Sequence, residues 1–135
     1  MTLVDTNVLL DLFTDDPTWS DWSLQQLNRV ATYGPIVIND VVYAELSVRF
    51  ARIEILDQAL EAMDARLERL PRTALFLAGK SFLRYRESGG QRHGVLPDFF
   101  IGAHASITGW PLLTRDIRRY RTYFPDVRLI APNWS

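Results

Sequence analysis

A chain of 135 residues, 47% hydrophobic and 23% charged, has the length and composition of one folded domain with its own core, and is neither disordered nor fibrous. It has no cysteine, which excludes disulfides and thiolate metal sites. No apolar run approaches the roughly 20 residues that span a bilayer. No basic segment leads into a long apolar one at the N-terminus, so the expectation is no signal peptide and a cytoplasmic location.

The net charge of −1 conceals two unlike halves. Residues 1–70 hold twelve acids and five bases, a net of −7; residues 71–135 hold four acids and ten bases, a net of +6. Fourteen of the fifteen bases are arginine, whose planar fork suits two-handed contacts to phosphate or carboxylate. Either the surface is merely dipolar, or the Arg-rich half meets an anionic partner such as RNA.

In chain order, Thr2-Leu3-Val4 reads as a short buried strand and Val8 to Phe13 as a helix. Asp16-Pro17 has the form of an N-cap with proline at the first helical position. The helix after it turns Trp19, Trp22, Leu27 and Val30 inward and stops near Gly34-Pro35. Ile36-Val37-Ile38 is a second strand, with Asn39 or Asp40 placed to cap the next helix. From Ile53 to Leu70 the apolar set Leu56, Leu60, Met63, Leu67 and Leu70 keeps helical spacing, most simply as core. Thr73 to Glu87 predicts a further helix ended by Ser88-Gly89-Gly90, and Pro97-Asp98 opens another. Pro111 to Thr114 and Val127 to Ile130 are a third and a fourth strand. Strands alternating with helices, without repeats or linkers, predict a single α/β domain over residues 1–135, a sandwich around a parallel sheet.

Four acids punctuate these elements: Asp5 and Asp116 just after strands, Glu45 within Val41-Val42-Tyr43-Ala44-Glu45-Leu46, and Asp98 opening an apolar helix. Carboxylates are seldom buried unless paired or metal-bound. Each has an ordinary alternative: helix capping for Asp5 and Asp116, an i,i+4 pair with Arg49 for Glu45, and a first-turn dipole contact for Asp98. Together, with oxygen donors only, they point to a hard cation such as magnesium or manganese. Ligands of open parallel sheets bind beyond the carboxyl ends of strands, where Asp5 and Asp116 fall.

Leu3-Val4-Asp5-Thr6-Asn7-Val8-Leu9-Leu10-Asp11-Leu12 resembles the opening motif of PIN-domain nucleases. Val42-Tyr43-Ala44-Glu45-Leu46, Pro97-Asp98-Phe99-Phe100-Ile101-Gly102-Ala103-His104-Ala105 and Leu113-Thr114-Arg115-Asp116 are similar to their second, third and fourth motifs. Order, spacing and length resemble the small VapC-type toxins of toxin–antitoxin pairs. The resemblance implies an α/β/α sandwich with a central parallel sheet and a Mg²⁺-dependent endoribonuclease, Mn²⁺ able to substitute. Carried over by position, Asp5, Glu45, Asp98 and Asp116 form the acidic cluster, Asp5 and Asp98 holding metal, with Asn7 and Thr114 in support. It further implies an RNA substrate, a small antitoxin partner and a homodimer. Phe99-Phe100 and Pro97 depart mildly from the family's third motif without removing a ligand.

Among the arginines Arg84, Arg86, Arg92, Arg115, Arg118, Arg119 and Arg121, Arg115 adjoins a proposed ligand and is the first choice for an RNA contact. His93 reads as a surface residue, His104 as core or interface, and the four tryptophans as packing rather than base stacking. The rival to a nuclease is a non-catalytic PIN-like module that binds RNA or protein. A phosphatase using Asp5 would usually begin Asp-x-Asp, and position 7 is Asn.

Overall fold

The computed structural model describes residues 1–91 and 94–132. Five strands among them, β1 (Thr2–Val4), β2 (Ile36–Ile38), β3 (Ala65–Leu67), β4 (Leu112–Leu113) and β5 (Leu129–Ile130), form one sheet in the order β3-β2-β1-β4-β5. Every pairing is parallel, with Leu3 beside both Val37 and Leu112. Parallel neighbours need crossovers, and helices supply them: α1 (Thr6–Phe13), α2 (Ser20–Ala31), α3 (Asp40–Ser47), α4 (Ile53–Ala62), α5 (Arg72–Glu87), α6 (Leu96–Thr108) and α7 (Arg118–Tyr123). The result is an α/β/α sandwich, and the central strands β1 and β2 are buried at every residue. No helix among the described residues is long and apolar enough to cross a membrane.

From β1 the chain first winds outward to β2 and β3, then returns to the other side of β1 for β4 and β5. The reversal lies between β1 and β4, and it opens a crevice at their carboxyl ends. Asp5 and Thr114 are the first residues past those two strands, joined to the last rungs by Asp5 N–H to Leu113 C=O at 2.9 Å and Thr114 N–H to Ile130 C=O at 3.0 Å.

Two expectations need correction. The apolar spacing from Ile53 to Leu70 does not mark one helix. α4 ends at Ala62, Asp64 adopts a positive φ of 54°, and the chain continues as the edge strand β3, with Leu67 exposed. An Asp tolerates the left-handed region better than most residues, and an edge strand needs burial on neither face to pair. Second, Asp16 does not cap α2. Its carboxylate accepts from Thr18 and Trp19 N–H, both at 2.9 Å, and so organises a turn before the helix begins at Ser20. Asn39 does cap α3, accepting from Val42 N–H at 2.9 Å.

α6 and α7 meet at a glycine. A Cβ on Gly102 would lie 2.3 Å from the Phe124 ring, so only hydrogen fits between that ring and the α6 backbone. Phe124 and Tyr120 are 2% exposed and anchor α7, a six-residue helix with little stability of its own.

Candidate active site

Asp5 occupies the N-cap position of α1, yet its side chain makes no capping bond. Three donors converge instead on Oδ2: Thr114 Oγ1 at 2.8 Å, Tyr120 OH at 2.9 Å and Asn7 Nδ2 at 3.4 Å. Among the described residues none donates to Oδ1. Asp5 is 5% exposed, and burial pushes its carboxyl up to about 7 from an ordinary 3.8, with the Asp98 charge adding to burial. The Thr114 and Tyr120 hydrogen bonds pull the other way, and Glu45 adds a smaller push upward. Burial and the Asp5 charge raise the Tyr120 phenol well above its usual value, so it stays a donor.

Thr114 and Asn7 both hydrogen-bond at this point. Thr114 Oγ1 donates to Asp5 and also to Asp116 C=O at 3.2 Å, and it accepts from Asp116 N–H at 3.1 Å. Asn7 Nδ2 reaches Thr114 Oγ1 at 3.4 Å while its Oδ1 accepts from Arg115 N–H at 3.4 Å. The loop after β4 is thereby tied to the loop after β1.

Glu45 is half-buried on α3 and accepts from Thr6 Oγ1 at 2.6 Å. Of the apolar residues near it on α3, Val42 and Leu46 are buried and Val41 is half-buried. Asp98, in the first turn of α6, accepts from Arg119 Nη1 at 2.8 Å. Burial still raises its carboxyl against the pull of Arg119, and the Asp116 and Glu45 charges add to the rise. Asp116 is exposed, and its Oδ1 accepts from Arg118 N–H at 3.4 Å. The Asp98 and Glu45 charges act on Asp5, and the Asp116 and Glu45 charges act on Asp98, so the four acids share one electrostatic neighbourhood. The side chains do not close up, however: among the described residues no three of His, Asp and Glu stand where they could hold one ion. A hard cation fits the donor set all the same. The donors are all oxygens, magnesium takes only one or two carboxylates directly, and a carboxylate raised to about 7 by burial and a neighbouring acid gains from a positive charge.

Arg115 has a commitment that the sequence does not reveal. Its Nε and Nη2 donate to Asp11 Oδ2 and Oδ1 at 2.8 and 2.9 Å, and its guanidinium lies 5.4 Å from the Trp19 ring centre. Asp11 is 2% exposed and also accepts from Ser23 Oγ at 2.7 Å. Asp11, Thr6 and Tyr120 are residues that sequence reasoning passed over, and Arg119 stood among the candidate arginines without its link to Asp98. Asp11 carried a signal, an acid in an apolar helix four residues after Asn7; a tyrosine on α7 carried none. His104 is buried, its ring tilted against Trp110, and lies within 3.2 Å of Asn39 Nδ2, as a core histidine would. Trp19 and Trp22 pack edge to face, half-buried. Arg92, His93 and Trp134 lie outside the described residues.

The PIN-domain sequence profile matches residues 2–125. No curated protein matches the chain by sequence. Solved structures do share its fold. One is VapBC2 from Rickettsia felis bound to a DNA fragment from their promoter, at 18% identity over 98% of each chain with a TM-score of 0.73. Another is FitAcB from Neisseria gonorrhoeae, at 18% over 96% of each chain with a TM-score of 0.68. A third is a toxin–antitoxin complex from Klebsiella pneumoniae, at 22% identity over 94% of this chain and 95% of that one, TM-score 0.64.

Proposed function

The chain belongs to the PIN-domain family, and from that premise we propose that it is a metal-dependent endoribonuclease, the toxin of a toxin–antitoxin pair. The observation that carries the reading is Asp5: a buried carboxylate at the switch point of a parallel sheet, with three donors on Oδ2 and none of the described residues on Oδ1. A carboxylate kept only for structure would be satisfied on both oxygens or exposed to water.

Asp5 and Asp98 are the residues that would hold Mg²⁺, with Mn²⁺ able to replace it, and Glu45 and Asp116 complete the negative surroundings. Such an ion supplies a bound water of lowered pKa and a Lewis acid at the phosphate. The protein's own share is orientation. Thr114, Tyr120 and Asn7 fix the Asp5 carboxylate by one oxygen and so would leave the other to an ion. Thr6 holds Glu45, and the Thr114 hydroxyl ties the Asp116 backbone to the same point. RNA is the substrate this reading names, and Arg115 the contact it first suggests. A homodimer and a small antitoxin partner in the cytoplasm belong to the same proposal, which is supported by the likeness in fold to a toxin–antitoxin complex.

The test is cleavage of a mixed RNA pool by the purified protein with EDTA, Mg²⁺ or Mn²⁺, beside Asp5→Asn. The expected result is cleavage with either metal, none with EDTA, and a loss of about 10³-fold or more in the variant. Metal binding by calorimetry should weaken as pH falls through 7, as Asp5 takes up its proton. Neither cleavage nor metal binding would favour a non-catalytic RNA- or protein-binding module, the reading that the unclosed acids favour.

A further inference from the structure

Beside the acids stands a positive charge, Arg119 on α7, held to Asp98 Oδ2 by Nη1 at 2.8 Å. Among the described residues that is the guanidinium's one hydrogen bond, and none of them accepts from Nε or Nη2. The guanidinium lies 5.4 Å from the centre of the Tyr85 ring. An aromatic face holds the plane of an arginine while leaving its N–H edges available to an oxyanion.

The mount is rigid where it needs to be. Tyr120, the next residue, is buried on Asp5, and Phe124 fills the space above Gly102. One turn of α7 therefore delivers residue 120 to one proposed metal ligand and residue 119 to the other. A guanidinium on Asp98 also claims the electrons that a divalent cation would use. Two cations on one carboxylate repel each other, and a phosphodiester entering beside them offers the guanidinium a replacement anion with paired oxygens.

We propose that Arg119 is a phosphate-binding residue of this site held in reserve: Asp98 keeps its guanidinium while no divalent cation is bound, and Arg119 passes to the non-bridging oxygens of the scissile phosphodiester once cation and substrate are in place. This rests on the nuclease reading. It also moves the phosphate contact away from Arg115, whose Nε and Nη2 are both engaged by Asp11. Until a cation arrives, Arg119 offsets the charge of the Asp98 carboxylate.

The test pairs Mn²⁺ calorimetry with cleavage of the RNA pool, using wild type, Arg119→Met and, as a control on an exposed face of α2, Arg29→Met. Arg119→Met should bind Mn²⁺ about tenfold tighter, because a repelling charge is gone, and yet cleave about 10²-fold more slowly. Arg29→Met should change neither, and Arg119→Lys should recover part of the cleavage through its charge alone. A structural lesion would weaken both properties together, so the opposite signs are the signature. Unchanged or weaker Mn²⁺ binding by Arg119→Met would overturn the proposal and make Arg119 an orienting partner of Asp98; unchanged cleavage would overturn it as well. Wild-type protein that neither binds Mn²⁺ nor cleaves RNA would instead overturn the nuclease reading beneath it. Near-UV circular dichroism checks the fold, and Arg119→Gln carries the same measurements if the methionine variant does not fold.

Discussion

Two arginine–aspartate pairs flank the crevice, and they are built differently. In Arg115–Asp11 the carboxylate is 2% exposed and saturated, taking two N–H groups of one arginine and the hydroxyl of Ser23. In Arg119–Asp98 the carboxylate is 31% exposed, and a single N–H reaches a single oxygen. A pair whose carboxylate is buried and fully satisfied joins α1, α2 and the loop after β4, and it loses much if its arginine goes. A half-open pair of one bond is worth little to stability and can be exchanged for another partner. The two arginines sit only four residues apart in sequence. What separates scaffold from chemistry here is how completely the partner acid is used.

That contrast can be broken most directly by comparing Arg115→Met with Asp98→Asn in thermal melts. Arg115→Met leaves the Asp11 carboxylate buried without its arginine and should destabilise by about 3 kcal/mol. Asp98→Asn should stay within about 1 kcal/mol of wild type while losing cleavage. Equal destabilisation by both would mean that the two pairs are alike and that Asp98 is structural.

A smaller effect sharpens the electrostatics. The folded Asp5 carboxyl titrates near 7 rather than at 3.8, so the folded state holds this proton more tightly than the unfolded chain. Its contribution to stability is complete below about pH 4 and is lost as pH rises through 7. Buried His104, whose pKa is lowered by desolvation, acts in the opposite sense, favouring the folded state as pH rises. The readout is therefore the difference between metal-free wild type and Asp5→Asn. The variant should gain in relative stability by a few kcal/mol between pH 5 and pH 8. A flat difference would mean that Asp5 ionises as an ordinary carboxyl.

The smallest expected change is Tyr120→Phe, which keeps the ring and removes one donor from Asp5 Oδ2. Stability should fall by about 1 kcal/mol. The pH midpoint of Mn²⁺ binding should move upward, because the lost hydrogen bond had favoured the charged carboxylate. A downward movement would show that the phenol does not act on Asp5.

Much of this arrangement is legible in the residues. Short apolar runs alternating with helical spacing are enough for four of the strands and for the parallel sheet, because strands buried on both faces need apolar side chains throughout. Strand β3 was not legible: Ala65-Arg66-Leu67 pairs by backbone alone at an exposed edge, and its leucine continues the spacing of the helix before it. At the site, Asp5, Glu45, Asp98 and Asp116 stand out as acids among apolar neighbours, and Asn7 and Thr114 follow from their motifs. The donors that set Asp5's behaviour do not stand out. Tyr120 is 115 residues away and looks like any core aromatic, while Arg115 finds Asp11 across 104 residues. Such contacts depend on which loops the sheet order brings together, and local spacing is blind to that.

The strands are only two or three residues long, so the sheet is a slab about 10 Å deep, and its last rungs are the amides of Asp5 and Thr114. Fraying cannot release the crevice while leaving the sheet behind it intact. In amide hydrogen exchange the crevice floor would therefore open only when the whole molecule opens, and its lifetime would be that of the fold.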